Sequence, residues 1–509
     1  MLTGISAMAQ ETYENAKLVQ EDLNGTARYV GMGGALDALG ADISTISTNP
    51  AGIGLFRHSQ ANVSFGFVSQ QDAAKSPFVD GTNMSFDQAG FVFVNRTRED
   101  SYFNVAFNYH KSRNFDYILS AANSLQNASQ NKLTYAKGAE GYLYTDKWEP
   151  LVTCNQLDDI YVYHLFTAPG EVDEDGNPVF SYYPASAFDM KRGHKGYIGE
   201  YDINFSGNIH NRVFLGLTVG IHDVHYKHYG VYGETINPNP EDIASLQVTD
   251  ERKITGSGFD IKAGVIVRPV ENSPFRFGLS VATPTWYDLT TSNWTTLSDN
   301  NGAKFEAHEA YDFKLYTPWK FGLSVGHTIG NMVALGAGVD YEDYSCLDSR
   351  ENTGDYYDYY WDQYRSPSRS DNAMNDHTEK TLKGVTTVKL GAEVKPIPEL
   401  AFRLGYNVST AVYDKDGYKD GTINSEGSYY SSATDYTNWK ATNRITAGVG
   451  YTAGKMSFDL AYQFASTSGD FYPFQSYTNK DFPDDDVVPT VTEVNNKRHQ
   501  LLLTLGYHF

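Results

Sequence analysis

The chain has 509 residues, of which 40% are hydrophobic and 14% are aromatic, and its formal net charge is −22. An acidic balance of this size argues against a nucleic acid as partner, and no apolar run is long enough for a transmembrane helix. The composition is still compatible with a membrane β-barrel, because strands that alternate apolar and polar residues have a low mean hydropathy. No linker rich in proline, serine or glycine divides the chain after its first sixty or so residues, which favours one large closed unit.

The first residues have the form of a cleavage site. The sequence AMA at residues 7–9, followed by Gln10, shows the small-x-small pattern that signal peptidase cuts. The apolar stretch before it is short and no positive charge leads it. Residues 1–9 are therefore interpreted as the remnant of a signal peptide, which predicts export from the cytoplasm.

Residues 25–55 are crowded with Gly, Ala, Ser and Thr and show none of the alternation that a strand needs. Asn49 followed by Pro50 is typical of a helix N-cap with proline at the first helical position, and it opens a short turn through Ala51. Short turns of small residues do not form a core alone. They are predicted to pack against the rest of the chain.

The same stretch resembles a known family. Arg28 to Ala35 (RYVGMGGA) and Asn49-Pro50-Ala51-Gly52 are similar to the N-terminal hatch of the outer-membrane FadL/TodX transporters of hydrophobic compounds. The resemblance implies a hatch over residues 10–58 inside a barrel formed by residues 59–509. It also implies gate or hatch residues, namely Arg28, Gly31, Gly33, Gly34, Asn49, Pro50, Ala51 and Gly52.

Fourteen segments with a period of two follow the hatch, an even number as a closed bacterial barrel prefers. The predicted fold is therefore an all-β, 14-stranded antiparallel transmembrane β-barrel. The segments lie at residues 63–67, 91–93, 103–109, 201–205, 213–219, 259–267, 275–281, 321–325, 333–341, 388–394, 402–406, 445–451, 458–464 and 501–509.

Short and long connections alternate along this set, as they do between the periplasmic and extracellular faces of an outer-membrane barrel. The long ones are predicted at residues 70–88, 111–194, 235–250, 292–303, 347–382, 410–442 and 470–497. The last strand ends in Tyr507 and Phe509, which resembles the recognition signal of the barrel-assembly machinery. Together these features predict the outer membrane of a bacterium, with its lipid and lipopolysaccharide as surroundings.

The residues expected to face the lumen are often glycines, which leave room beside the wall for a plug of small residues. Charged residues also occupy inward-facing positions of the strands. Charges held inside a barrel are normally paired, although these residues could equally line a water-filled pore. The inward set Asp202, Asp260, Lys262, Arg268, Lys389, Glu393, Arg403 and Asp459 is expected to pair with Arg28, Asp37, Asp42 and Arg57 of the hatch.

The outer loops carry aromatic and acidic runs. The aromatic run at residues 355–364 is expected to pack the loops into a cap. The acidic runs at 173–177 and 484–486 are interpreted as solvated turns, although they could bridge a cation to lipopolysaccharide. Cys154 and Cys346 lie outside the predicted spans, and their spacing leaves pairing open.

The sequence contains no recognisable catalytic motif. The dinucleotide fingerprint is incomplete, no nucleophile elbow occurs, and no cysteine and histidine set has the spacing of a zinc site. Three histidines, His222, His225 and His228, are interpreted as polar residues on the loop side rather than as ligands, with the middle one facing away from its neighbours. No enzyme activity, cofactor or metal is predicted.

Passive uptake of a hydrophobic small molecule such as a fatty acid is the function that the resemblance implies. In the family, the ligand leaves through a lateral gap near a kink in the third strand. Here that strand is predicted at residues 102–115, and it departs from the family by containing neither proline nor glycine. Two alternatives are a docking barrel in a secretion or surface-lipoprotein complex, with its protein partner at the loops, and a general porin.

Overall fold

The structure, a computed structural model, describes most of the chain. The described residues are 11–98, 100–145, 147, 149–164, 167–172, 178–180, 182–236, 244–270, 273–354, 356–429, 435–478 and 486–509. The signal-peptide remnant, the acidic run at 173–177 and most of the one at 484–486 lie outside them. None of the described helices is both long enough and apolar enough to cross a bilayer.

The strands form one large antiparallel sheet and two small hairpins. In chain order they are β1 Gln60–Gln70, β2 Thr82–Arg98, β3 Ser101–Asn114, β4 Tyr117–Ala128, β5 Thr167–Val172, β6 Pro178–Phe180, β7 Ala185–Ile209, β8 Val213–Ile236, β9 Ser245–Val267, β10 Arg276–Ala282, β11 Trp286–Asp299, β12 Lys304–Tyr316, β13 Lys320–Ile329, β14 Val333–Asp343, β15 Asp348–Asn352, β16 Tyr356–Asp358, β17 Gln363–Arg365, β18 Ser368–Ser370, β19 Gly384–Ile397, β20 Leu400–Ser409, β21 Tyr436–Trp439, β22 Thr442–Ala453, β23 Met456–Tyr472 and β24 Thr492–His508.

The large sheet closes on itself, because β1 pairs with β24 along its whole length, from Gln60 opposite His508 to Gln70 opposite Arg498. The predicted closed barrel of fourteen antiparallel strands is confirmed. Two of the breaks in its strands lie at prolines, one between β10 and β11 at Pro284 and the other between β12 and β13 at Pro318. Proline has no N–H to donate to a neighbouring strand, which accounts for both breaks.

Apolar side chains on the barrel strands point outward, and polar or small ones point inward. Every other residue of β8 is buried through most of its length. The outward set forms an apolar belt of the kind that lipid requires. It includes Phe67, Phe93, Phe107, Phe205, Leu217, Leu279, Leu323, Leu335, Leu390, Phe402, Leu404, Ile445, Leu460 and Leu501.

The connections sort into a short-turn end and a long-loop end, as predicted, but several predicted loops were too long, and two of them show this clearly. β8 continues to Ile236 and β9 begins at Ser245, while β11 and β12 are separated only by residues 300–303. These strands project beyond the apolar belt, where the outward residues become polar. The alternation of apolar residues that marks a strand in the sequence is lost there.

Helices lie in the N-terminal segment and in the long loops. They are α1 Thr12–Val19, α2 Ala27–Gly31, α3 Gln130–Ala139, α4 Gln156–His164, α5 Asn372–Thr381 and α6 Glu426–Tyr429, with 3-10 turns at Ile43–Ile46, Pro50–Leu55 and Tyr344–Cys346. The loop helices α3 and α4 pack on extended strands in an apolar cluster at the long-loop end. Cys154 and Cys346 are both free.

The aromatic loop does not pack with the other loops into a cap, contrary to the prediction. In the hairpin of β16 and β17, Tyr359, Tyr360 and Tyr364 have more than four-fifths of their surface exposed, at 89%, 85% and 81%. The prediction failed because clustered aromatics usually bury one another, whereas this short hairpin holds them away from the barrel.

At the short-turn end, Phe509 extends the junction between β1 and β24. It donates its N–H to the carbonyl of Ser59, and its ring contacts that of Tyr507.

We expect Leu404→Arg to destabilise the barrel in phospholipid vesicles by about 2–4 kcal/mol, because it places a charge near the middle of the apolar belt. Leu404 lies in the middle of β20 and is 66% exposed. Denaturant unfolding in vesicles measures the effect. Tyr359→Arg, in the exposed hairpin, is the matched control, and equal stability of the two variants would contradict a lipid-facing belt.

Candidate functional site

The N-terminal segment, residues 11–58, lies inside the barrel and is largely buried. Its short turns are capped by side chains, and the cap by Asn49 is the one that the sequence predicts. The Thr26 hydroxyl accepts from the Tyr29 N–H and donates to Asp42, and the Asn49 side chain accepts from the Ala51 N–H. Gly33 and Gly34 have φ of +63° and +79°, a left-handed conformation that other residues rarely adopt.

The backbone of this segment lies directly on glycines of the barrel wall. A Cβ added at Gly336 would collide with the carbonyl oxygen of Ala35, and one added at Gly391 with that of Met32. The segment contributes glycine as well, because Gly31 rests against Gly448. Wall glycines Gly216 and Gly405 meet the backbone of Pro50 and Gly33 in the same way, and Gly264 meets the side chain of Asn49.

Charges join the segment to the wall at the same level. Arg28 donates to Glu393 at 3.2 Å, and Glu393 also binds Arg403 at 2.6 Å. Asp37 lies 2.9 Å from the ammonium of Lys389. The predicted pairing therefore holds for Arg28 with Glu393 and for Asp37 with Lys389. It does not hold for Arg403 and Asp459, which pair within the wall, 2.5 Å apart.

The pairing prediction was wrong for five other residues. Arg57 donates to neutral partners, the side chain of Asn211 and nearby carbonyls, and Arg268 also binds carbonyls. Asp202, Asp260 and Lys262 face the lumen but bind one another and other wall residues instead of the segment. Sequence spacing gave the direction of these side chains but not their height along the barrel axis.

Helix α1 fills the apolar part of the lumen. Tyr13, Ala16, Leu18 and Val19 of α1 are buried in one cluster with inward-facing residues of several wall strands and with the residue that follows β3. Tyr13 also stacks on Tyr413 at 5.0 Å between ring centroids. The aliphatic and phenylalanine residues of this ring include Phe115, Ile198, Val224, Ile254, Leu289, Phe313, Leu315 and Val385, and wall tyrosines such as Tyr226, Tyr287 and Tyr311 belong to the same cluster.

Residues 11–24 are rich in polar residues and yet largely buried. Several of their polar side chains contact partners far away in sequence. The Thr12 hydroxyl lies 2.8 Å from that of Thr378 on α5, and Glu14 lies 3.5 Å from Arg252. Composition alone made the stretch look solvent-exposed, and the spacing of its apolar residues by three and four was the one signal that could have revealed the helix.

Strands β2 and β3 separate toward the long-loop end. Their last pair is Gln88 with His110, although β2 stays paired with β1 and β3 with β7 beyond it. Each separating strand carries a bulge at that point, because Asp87 is unmatched against β1 and Ser112 is unmatched against β7. A bulge bends its strand, so this fork needs neither proline nor glycine.

The N-terminal segment bridges the fork. The Asn24 amide donates to Asp87 on β2 and to the carbonyl of Lys111 on β3, each at 3.0 Å. The Asp22 N–H donates to the carbonyl of Ser112 at 2.8 Å. No motif in the sequence marks Asp22 or Asn24.

The Asp22 carboxylate is a strong anchor at this fork. Burial alone would raise its pKa, but the guanidinium groups of Arg113 and Arg498 hold that pKa below its ordinary value. Asp22 is therefore ionised at neutral pH, and it also accepts the Asn114 N–H at 2.8 Å.

A cavity of about 230 Å³ lies between the segment, the fork and the opposite wall. Its lining mixes cations such as Arg113 and Arg444 with acids such as Asp22 and Glu342, alongside Tyr29 and Trp439. The lumen is thus apolar around α1 and polar in this cavity, and a single continuous apolar pocket is not what the described residues form.

No protein-family model and no curated protein sequence matches the chain. Among solved structures, the toluene transporter TbuX of Ralstonia pickettii is 10% identical over 96% of this chain and 99% of that chain, with a TM-score of 0.48. A FadL homologue of Pseudomonas aeruginosa is 11% identical over the whole of both chains, with a TM-score of 0.49. The toluene transporter TodX of Pseudomonas putida is 11% identical over 96% of this chain and 99% of that chain, with a TM-score of 0.46.

The class of this protein is defined by its own strand pairing. It is a closed β-barrel of fourteen antiparallel strands with its N-terminal segment packed inside.

We expect Gly336→Ala to loosen the N-terminal segment while the barrel stays closed, because the new methyl group would overlap the backbone of Ala35. Overpacking of this kind costs about 1–3 kcal/mol. Faster hydrogen exchange in residues 27–55 reports the change. Gly207→Ala is the control, since an added Cβ there meets nothing within 4 Å. Unchanged exchange in Gly336→Ala would contradict the close contact.

Proposed function

We propose that this protein is a bacterial outer-membrane channel for passive uptake of hydrophobic small molecules such as fatty acids. The observation that carries the proposal is the apolar ring inside the barrel around α1. A general porin has a polar interior, and an inward-facing ring of Phe, Ile, Val and Leu has no role in passing water-soluble solutes.

Helix α1 is the occupant that a ligand displaces. It buries Tyr13, Ala16, Leu18 and Val19 against the ring, so an apolar ligand that binds there replaces the same contacts. Because α1 contacts α5 in a long loop through Thr12 and Thr378, capture of a ligand among the loops can be coupled to release of α1.

The fork between β2 and β3 is the lateral exit in this proposal, and Asp22 and Asn24 close it. When the N-terminal segment shifts, both strands lose the hydrogen bonds that bridge them, and the gap opens toward lipid. The part of the segment that rests on the wall glycines gates passage toward the periplasm. Its gate residues are Arg28, Gly31, Gly33, Gly34, Asn49, Pro50, Ala51 and Gly52.

Tyr507 and Phe509 serve as the signal for the barrel-assembly machinery. The apolar belt contacts outer-membrane lipid, and the extended strands stand among lipopolysaccharide.

A docking barrel is the second candidate function, and the exposed hairpin of β16 and β17 favours it. Tyr359, Tyr360, Trp361 and Tyr364 present apolar surface to solvent, as partner-binding surfaces do. In this role the barrel would hold a protein partner at its loops, and α1 would have no reason to move.

We expect a disulfide between Thr12→Cys and Thr378→Cys, in a Cys154→Ala and Cys346→Ser background, to abolish uptake of oleate. The two hydroxyls are 2.8 Å apart, so the cysteines can pair and tether α1 to α5. Uptake of labelled oleate by cells that have no other such channel is measured with the tether oxidised and after reduction, which restores uptake.

The matched control is Ser69→Cys with Thr82→Cys, whose hydroxyls are 2.7 Å apart on the paired strands β1 and β2. This tether leaves α1 free, and uptake continues. If the α1 tether leaves uptake unchanged, transport by displacement of α1 is wrong and the docking role gains support.

We expect deletion of Ser112 to reduce oleate uptake to background, because it removes the bulge from β3 and lets β2 and β3 pair past Gln88 and His110. Deletion of Thr97 is the control, since it removes an irregularity of β2 at the short-turn end, between Arg96 and Arg98. Heat-modifiable migration on gels verifies that both barrels are closed. Equal uptake by the two deletion variants would exclude the fork as the exit.

A further inference from the structure

A row of three titratable side chains crosses the barrel wall beside the fork. His110 of β3 is directly opposite Glu200 of β7, and Glu200 is directly opposite His222 of β8. Opposed residues on one face of a sheet bring their side chains within contact distance. All three point into the lumen and are buried.

The interpretation of His222 and His228 as loop-side residues was therefore wrong, because both lie within β8 with their side chains facing inward. His225 faces outward, as predicted.

A second row lies next to the first and supplies two more carboxylates. Asp202 of β7 and Asp260 of β9 are both cross-strand partners of Gly220 on β8. A Cβ at Gly220 would collide with the Asp260 carboxylate and crowd the ammonium of Lys262. The missing side chain therefore creates the space in which these groups meet.

The Glu200 carboxylate stands between the two imidazoles. Its Oε2 atom is 3.4 Å from Nε2 of His110 and 3.9 Å from Nδ1 of His222. The other nitrogen of each ring faces a carboxylate, with His222 Nε2 at 3.0 Å from Asp260 and His110 Nδ1 at 3.4 Å from Asp202. Histidines that bind a metal are oriented in this manner, with the second ring nitrogen held by a carboxylate.

The charges of the cluster do not balance. Glu200, Asp202 and Asp260 are acidic, and Lys262 is the cation among them, 2.5 Å from Glu200 and 2.8 Å from Asp260. With neutral imidazoles, three negative charges and one positive charge leave two negative charges in a buried site, so the cluster is balanced only by protons on both rings or by a bound cation. Asp202 is fully buried, and its nearest charged partners are His110 at 3.4 Å and Lys262 at 3.7 Å. Buried carboxylates without compensation are costly.

We propose that His110, Glu200 and His222 bind a divalent transition metal of the Zn²⁺ class, with Asp202 and Asp260 orienting the two histidines. Two ligands at about 2.0–2.1 Å from a tetrahedral zinc lie about 3.4 Å apart, which is the separation between His110 Nε2 and Glu200 Oε2. A dication also cancels the two remaining negative charges. Two histidines and one glutamate leave the fourth position for water or another ligand.

The metal has a route from the lumen. His110 lines the cavity of about 230 Å³, and His222, Asp260 and Lys262 line a smaller one of about 30 Å³ beside it. The described ligand atoms of the two overlapping sets, His110 with Glu200 and Asp202, and Glu200 with His222 and Asp260, lie within 4.8 Å of one another. Glu200 belongs to both sets, and the proposed site forms when both histidine side chains close on its carboxylate.

The test uses the detergent-purified full chain, stripped with chelator and titrated with Zn²⁺ and, separately, Co²⁺. We expect one Zn²⁺ per barrel by elemental analysis, visible absorption bands of four-coordinate Co²⁺, and two histidines in the first shell by X-ray absorption at the zinc edge. His110→Gln and His222→Gln weaken binding at least tenfold. His225→Gln, on the same strand with its ring outward, binds as the wild type does.

Absence of bound Zn²⁺ in the wild type, or binding that the His110 and His222 variants leave unchanged, overturns the proposal. The X-ray absorption measurement needs no variant, so it decides the matter even where a substitution prevents folding. None of these readouts depends on uptake. The metal site and the transport function can therefore fail independently.

Discussion

The close contact between the backbone of the N-terminal segment and the glycines of the wall is the constraint on which the interior depends. Where a side chain would normally stand, Gly336, Gly391 and Gly405 leave only backbone, and the segment fills that space with its own backbone and small residues. The salt bridges of Arg28 and Asp37 can form because the two surfaces are this near. Any larger residue on either side would lift the segment and separate the charges.

The lumen is organised in levels above this contact. The glycine level lies nearest the short turns, the polar cavity and the fork follow, and the apolar ring around α1 reaches the long loops. Each level meets a different stretch of the same N-terminal segment. A single displacement of that segment would change the lower contact, the fork and the apolar ring together.

The barrel was predictable because lipid imposes a period of two on every strand, and fourteen such segments with alternating loop lengths leave few other folds. The capping by Asn49 was predictable because it is local. The position of α1 was not, since it depends on contacts with residues hundreds of positions away, such as that of Thr12 with Thr378. The exposed aromatic hairpin was missed because clustered aromatics usually bury one another, and the ends of the extended strands because apolar residues no longer alternate there. The row of His110, Glu200 and His222 depends on strand register, which a pattern of two along one strand does not specify.

Helix α1 is part of the same chain as the ring that it fills, and in the proposed uptake role this has a quantitative consequence for ligand binding. An occupant tethered through a short connection acts at an effective concentration in the millimolar range, so an incoming molecule competes with an inhibitor that can never diffuse away. The apparent dissociation constant of the ligand is its intrinsic dissociation constant divided by the fraction of time that the ring is vacant, so it is higher. A low concentration of a hydrophobic ligand would therefore not displace α1. Displacement would occur only where partitioning has already raised the local ligand concentration.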